Sequence, residues 1–200
     1  YSIIIFTLGQ LSTGNRNIEN RNIYRKFELP FYRHFFWDVK ITILNSNKHT
    51  FIKEKIINSL NIEANALRHL TNNVDDNIIE GIDLIYSTGS RVVLTGIGKS
   101  AIVAQKIVAT LNSTGTAAVF MHAADAIHGD IGMLGENDVV ICISKSGDTP
   151  EIKVLVPLIK NFGNKLISIV SNQQSYLALQ SDICIFLPMD KEADPNNLAP

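Results

Sequence analysis

The sequence predicts an α/β fold, a doubly wound sheet of five parallel strands preceded by an N-terminal helical segment. Three observations carry that reading. Short, wholly apolar runs such as Val92-Val93-Leu94 and Val139 to Ile143 alternate with longer amphipathic ones. Those runs are too continuous for a sheet with one wet face, so both faces must be covered. Gly- or Ser-rich turns follow two of them, at Gly96-Ile97-Gly98-Lys99-Ser100 and at Ser144-Lys145-Ser146-Gly147.

From Phe51 onward Ile52, Ile56, Leu60, Ala64, Leu67 and Thr71 recur at helical spacing. A second helical stretch runs through Ile78, Ile79, Ile82 and Ile85, and Gly89 closes it. Strands are then expected at 91–95, 117–121, 139–144, 165–170 and 183–187, with helices at about 99–112, 149–162 and 176–179. Right-handed crossovers wind helices onto both faces. The economical strand order is 2-1-3-4-5, which puts strand 1 beside strand 3 and opens a crevice where their following loops diverge. Residues 1–47 are rich in Asn, Arg and aromatics without a sustained period and form an uninformative extension, with disorder left open; 48–200 is the domain. The first methionine is Met121, so the sequence reads as a fragment or as one with a mis-set frame at its start.

At 200 residues, 46% of them hydrophobic, the chain can bury one ordinary core. A net charge of −1, a pI near 6.6 and scattered Lys and Arg give no footprint for nucleic acid or an anionic membrane. A small-molecule ligand is expected instead. Cys142 and Cys184 sit in apolar strand-like runs without metal-ligand spacing, which fits small buried residues in a reducing compartment and points to the cytoplasm. No apolar run approaches the roughly 20 residues needed to span a bilayer.

The segment Ser144-Lys145-Ser146-Gly147-Asp148-Thr149-Pro150-Glu151 follows a buried strand and opens a helix. Unpaired backbone N–H groups and the positive end of the helix dipole suit a dianionic phosphate there. Pro150 fits the first helical turn, where its missing N–H is harmless. One hydroxyl would suffice as a helix cap. Ser144, Ser146 and Thr149 make three.

Two lookalikes fall away. A P-loop needs a Gly where this chain has Val93, and a dinucleotide fingerprint needs an acid closing the second strand, where Met121 and His122 stand. Both share a tight Gly turn bringing backbone amides, Lys99 and Ser100 close to an anion.

Five motifs occur in order: Val92-Val93-Leu94-Thr95-Gly96-Ile97-Gly98-Lys99-Ser100; Ser113-Thr114-Gly115-Thr116; His122 through His128-Gly129-Asp130-Ile131-Gly132-Met133; Ser144-x-Ser146-Gly147-x-x-x-Glu151; and Lys191-Glu192-Ala193 with Leu198-Ala199-Pro200. From Phe51 to Pro200 the chain resembles the sugar isomerase (SIS) domain of the arabinose-5-phosphate isomerases. The resemblance implies a flavodoxin-like sheet and interconversion of D-arabinose 5-phosphate and D-ribulose 5-phosphate, feeding synthesis of the acid Kdo for lipopolysaccharide or capsule. By motif match it assigns Lys99, Glu151 and Glu192 to catalysis. It assigns His122, His128, Gly115 and Thr116 to substrate contact, beside Ser100, Ser144, Ser146, Gly147 and Thr149, and makes His122 also a ligand of an inhibitory zinc. It implies no cofactor and a homotetramer with sites near subunit boundaries. Family members continue past Leu-Ala-Pro into helices that add a catalytic His, and many add CBS modules. Lys145 and Asp148 depart from the family's usual Asn and Glu.

The chemistry independently fits these residue types. Aldose–ketose isomerisation moves a proton between neighbouring carbons through an enediol, and a carboxylate in a partly dry pocket suits the base, so Glu151 or Glu192 can serve. Lys99 can stabilise charge on the enediolate oxygen or act as a second phosphate contact. A His can shuttle protons between substrate oxygens. A non-catalytic sugar-phosphate sensor, or an isomerase for another phosphosugar, is the alternative; a sensor would need the hydroxyls but not Lys99, Glu151 and Glu192 together.

Overall fold

A computed structural model describes residues 46–189. The chain divides into two compact units, one holding the described residues up to Arg68 and the other His69–Met189, which carries the sheet. The first unit contributes most of the long helix α1 (Ser46–Thr71); of its expected apolar face Ile52, Ile56 and Ala64 are half-buried, whereas Leu60, Leu67 and Thr71 are exposed. No helix among the described residues is long and apolar enough to cross a membrane.

In the second unit, α2 (Asp76–Ser87) starts at Asp75, whose side chain accepts a hydrogen bond from the Ile78 N–H, and ends at Thr88, one residue before Gly89. The chain then alternates β1 (Val92–Gly96), α3 (Lys99–Ser113), β2 (Ala118–His122), α4 (Ala123–Ala126), a 3-10 turn (Asp130–Met133), β3 (Val139–Ile143), α5 (Pro150–Asn161), β4 (Lys165–Val170), α6 (Tyr176–Gln180) and β5 (Ile183–Phe186). All neighbouring strands are parallel, in the order β2-β1-β3-β4-β5 expected from the sequence. The helix α4 and the 3-10 turn were not expected, because four residues are too few to show a helical period.

Every residue of β1 and β3 is buried, as the continuous apolar runs require. Alternate strand residues feed two cores. Val93, Val140, Cys142 and Leu166 pack against α4, α5 and α6 through Ala126, Ile152, Leu155, Ile159 and Leu177. On the other face Val92, Leu94, Val139, Ile141 and Ile167 meet Ala104, Ile107 and Leu111 of α3, with Leu84 and Ile85 of α2. Gly81 of α2 is buried and faces Ile185, Ile167 and Ile183 of the sheet.

The amino edge of the sheet is tied by Asp138, which is 2% exposed. Its carboxylate accepts hydrogen bonds from Arg91 Nη2 (2.6 Å), Ser90 Oγ (2.8 Å), the Gly135 N–H (2.8 Å) and the Arg91 N–H (3.2 Å). Burial pushes its pKa up, but the donors and charge of Arg91, with Gly135 and Ser90, outweigh it and hold the group down at about 2.

Candidate active site at the carboxyl edge

The strands β2, β1 and β3 lie side by side and end level, with His122 opposite Gly96 and Gly96 opposite Ile143. Their outgoing loops therefore leave together at the point where α3 and α5 turn to opposite faces, the expected switch point. Gly96 is required for this approach. A Cβ there would lie 3.1 Å from the Ile143 carbonyl oxygen and 3.1–3.2 Å from the Ser100 and Ala101 backbone. The next turn uses Gly98 at φ +58° to start α3, which places Lys99, exposed, and Ser100, half-buried, in its first turn.

The loop after β3 is held from several sides. Ser144 is 4% exposed and extends the ladder, its N–H donating to the Ile169 carbonyl (3.1 Å) while its Oγ accepts from the Gly147 N–H (3.1 Å). The Lys145 carbonyl accepts from the Ser171 N–H (3.0 Å), and the Gly147 carbonyl from the Leu177 N–H (3.0 Å). Asp148 Oδ1 accepts from the Tyr176 N–H (3.3 Å) and pairs with Lys153 (3.1 Å), contacts that lower its pKa with the Lys153 bond foremost. The loop's own carbonyl and carboxylate thus cap α6, and the loop is presented as a rigid cradle to α5.

Thr149 occupies the cap position of α5 with Pro150 at the helix start, but its side chain makes no capping bond. None of the three cradle hydroxyls is used as the helix cap, so capping does not account for them. Ser146 is exposed, its Oγ accepting a long bond from the Asp148 N–H (3.4 Å). Glu151, half-buried, sits in the first turn of α5. Lys99 and Glu151 therefore open the two helices that follow adjacent strands.

His122 ends β2 and caps α4 through its backbone. Its ring meets Phe120 edge to face, with centroids 6.2 Å apart, and Nδ1 lies 3.6 Å from Asp125 Oδ2, just beyond hydrogen-bond distance. His128 follows α4, exposed, its N–H donating to the Asp125 carbonyl (2.9 Å). Among the described residues four buried side-chain polar atoms have no partner, and three of them, Thr95 Oγ1, His122 Nδ1 and Thr149 Oγ1, belong to this edge. Such orphans are rare in folded proteins, and each calls for an explanation such as a catalytic role, a bound water or an ion.

The sequence model of the SIS domain matches residues 84–200, more than half of the chain. The chain belongs to the SIS domain family. It is 46% identical over 142 residues to the probable arabinose 5-phosphate isomerase of Haemophilus influenzae, a match covering 71% of this chain and 42% of that protein. To arabinose 5-phosphate isomerase KdsD of Francisella tularensis it is 43% identical over 147 residues, covering 72% and 45%. The structure of an E. coli CFT073 protein, c3406, in complex with arabinose 5-phosphate matches with a TM-score of 0.71 at 38% identity, covering 79% of this chain and 82% of that one. The chain spans less than half the length of the curated relatives it matches.

Within one copy of this SIS domain the fold gathers Lys99, Ser100, His122, Ser144, Ser146, Gly147, Thr149 and Glu151 at the carboxyl edge, with His128 on the connection leaving it. Gly115 and Thr116 are not among them. They lie between α3 and β2, at the amino end of the strands, where Gly115 turns at φ +92° and the Thr116 N–H donates to the Leu111 carbonyl (2.9 Å). Glu192 lies outside the described residues. No group of three or more His, Cys, Asp or Glu among the described residues could hold a metal, and His122 with Asp125 supplies at most two donors, short of a closed zinc site.

Sequence reasoning missed Thr95, Asp125 and Ser175. Thr95 is 0% exposed and is the one hydroxyl in an otherwise apolar strand, which was the available signal. Asp125 stands three residues after His122, a spacing that brings side chains together on a helix. Ser175, which accepts from the Ala178 N–H at the start of α6 and packs against Gly147, could be found only from tertiary packing.

Proposed function

We propose that this SIS domain is the sugar-phosphate-binding and catalytic part of an aldose–ketose isomerase acting on D-arabinose 5-phosphate and D-ribulose 5-phosphate, in the cytoplasm, supplying the route to Kdo. The observation that carries the reading is the pairing of the hydrogen-bonded loop 144–149 at the mouth of α5, with the Ser146 hydroxyl exposed on it, with Lys99 and Glu151 at the starts of helices after neighbouring strands. The identity to proteins named for this isomerase and the likeness to a structure holding arabinose 5-phosphate support it.

The phosphate docks on the cradle through Ser146, backbone amides and the α5 dipole, which anchors the pentose chain. In the open-chain aldose the base, Glu151 or Glu192, removes the C2 proton as the C1 carbonyl oxygen gains one, giving the enediol. Return of a proton to C1 with loss of the O2 proton gives the ketose. Lys99 stabilises the enediolate oxygen. His122 or His128 carries protons between O1 and O2.

The active form is a homo-oligomer, a tetramer, with its sites at subunit boundaries. The position of Gly115 and Thr116 at the amino edge supports this, because those residues could reach a sugar only on another copy. The test is incubation of the protein with arabinose 5-phosphate in deuterated water. Ribulose 5-phosphate should form with solvent deuterium exchange at the migrating carbon position. Binding without conversion would favour a sensor.

A further inference from the structure

We propose that Asp125 is a positioning residue: it holds the His122 imidazole with Nδ1–H directed at its carboxylate and leaves Nε2 as the nitrogen open to the sugar. The role of His122 at the sugar rests on the isomerase reading; the orientation of its ring does not. His122 Nδ1 is buried and has no hydrogen-bond partner, although 35% of the side chain is exposed, so the exposed part of the ring lies away from Nδ1. A buried ring nitrogen left unpaired is unfavourable, which selects for a partner. Asp125 supplies one at 3.6 Å, and its side chain is 64% exposed, free to close the few tenths of an ångström to a hydrogen bond.

The ring itself has little freedom. Phe120 packs against it edge to face, and the His122 backbone is fixed as the last residue of β2 and the cap of α4. Asp125 belongs to α4, so its carboxylate is carried by the same short helix. With Nδ1 protonated toward the carboxylate, neutral His122 presents the lone pair of Nε2, an acceptor for a sugar hydroxyl proton. Without Asp125 the ring could take either tautomer. A carboxylate that fixes the tautomer of a proton-transferring imidazole contributes to turnover well beyond its own hydrogen bond.

The experiment is long-range 15N–1H correlation on the full chain labelled at histidine, with His122→Gln used to assign one signal among the five histidines. In the neutral ring, recorded above its titration, wild type should show Nδ1 protonated and Nε2 bare. Asp125→Ala should lose that pattern, and Asp125→Glu should restore it. An Nε2–H tautomer in wild type, or an unchanged pattern in Asp125→Ala, overturns the proposal. Kinetics form the second arm. Asp125→Ala should lower kcat/KM by about tenfold or more, with Asp125→Glu recovering most of it; equal kcat/KM in Asp125→Ala and wild type also overturns it. A wild type that turns over no pentose phosphate would overturn the isomerase reading alone, since the tautomer still decides the role of Asp125.

Discussion

Gly147 is packed so closely against Ser175 that a methyl group on residue 147 would overlap the Ser175 hydroxyl and lie 2.6 Å from its Cβ. The same glycine is at φ +68°, and Ser175 caps α6 by accepting from the Ala178 N–H (3.3 Å). Gly147→Ala should therefore destabilise the protein by about 2–4 kcal/mol, combining left-handed strain with overpacking. Adding Ser175→Gly should return the steric part and leave the backbone part. A double-mutant cycle by urea denaturation checks this; simple additivity would show that the two residues are not in contact.

The amino-edge network predicts an acid-sensitive stability. Asp138 has a folded pKa of about 2 against an ordinary value of 3.8, so as pH falls it binds its proton later in the fold than in the unfolded chain. Its contribution, about 2 kcal/mol, is complete above the unfolded value and disappears as pH falls from about 5 toward 2. Asp138→Asn should lower stability at pH 7 and flatten the pH dependence over that window, measured as denaturation midpoints. Equal pH slopes in wild type and variant would exclude Asp138 as the source.

The strand order could be read from the chain because Val92 to Leu94 and Val139 to Ile143 are apolar without interruption, which demands cover on both faces, and right-handed crossovers then leave few arrangements. The cradle was legible for a similar reason: Ser144 to Pro150 lies between a strand and a helix whose boundary chemistry is local. What depends on distant contact was not legible. Ser175 meets Gly147 only because α6 folds back over the loop, and Asp138 looks like a solvated loop acid until Arg91 and Gly135 are brought to it. The pairing of Asp125 with His122 was local yet hidden, since α4 is one turn long and shows no period.

Ser144 and Ser146 should separate in mutagenesis. Ser146 is exposed and weakly engaged, so Ser146→Ala should reduce affinity for arabinose 5-phosphate about ten- to a hundredfold with little change in stability, as expected for one hydrogen bond to a charged group. Ser144 is buried and shapes the loop through the Gly147 N–H, so Ser144→Ala should lower both affinity and stability, the latter by about 1–3 kcal/mol. Calorimetric titration beside thermal denaturation reads both. Unchanged affinity in Ser146→Ala would remove the cradle from the binding site.

Glu151 offers the sharpest separation of chemistry from architecture. As a first-turn acid it stabilises α5 by only about 0.3–1 kcal/mol, and an acid beside a phosphate repels the ligand, so electrostatics at the helix start give little reason for it. As a proton carrier, its loss should reduce turnover by about 10²–10⁴-fold. Glu151→Gln keeps the shape and removes the titrating group, so affinity for arabinose 5-phosphate should hold or rise slightly while kcat falls steeply. Deuterium exchange from solvent into the pentose would fall with kcat if Glu151 is the base, but would persist if Glu192 removes the proton and Glu151 serves only the later transfer. Full activity in Glu151→Gln would reduce the residue to a dipole partner and shift the whole of the acid–base chemistry onto Glu192.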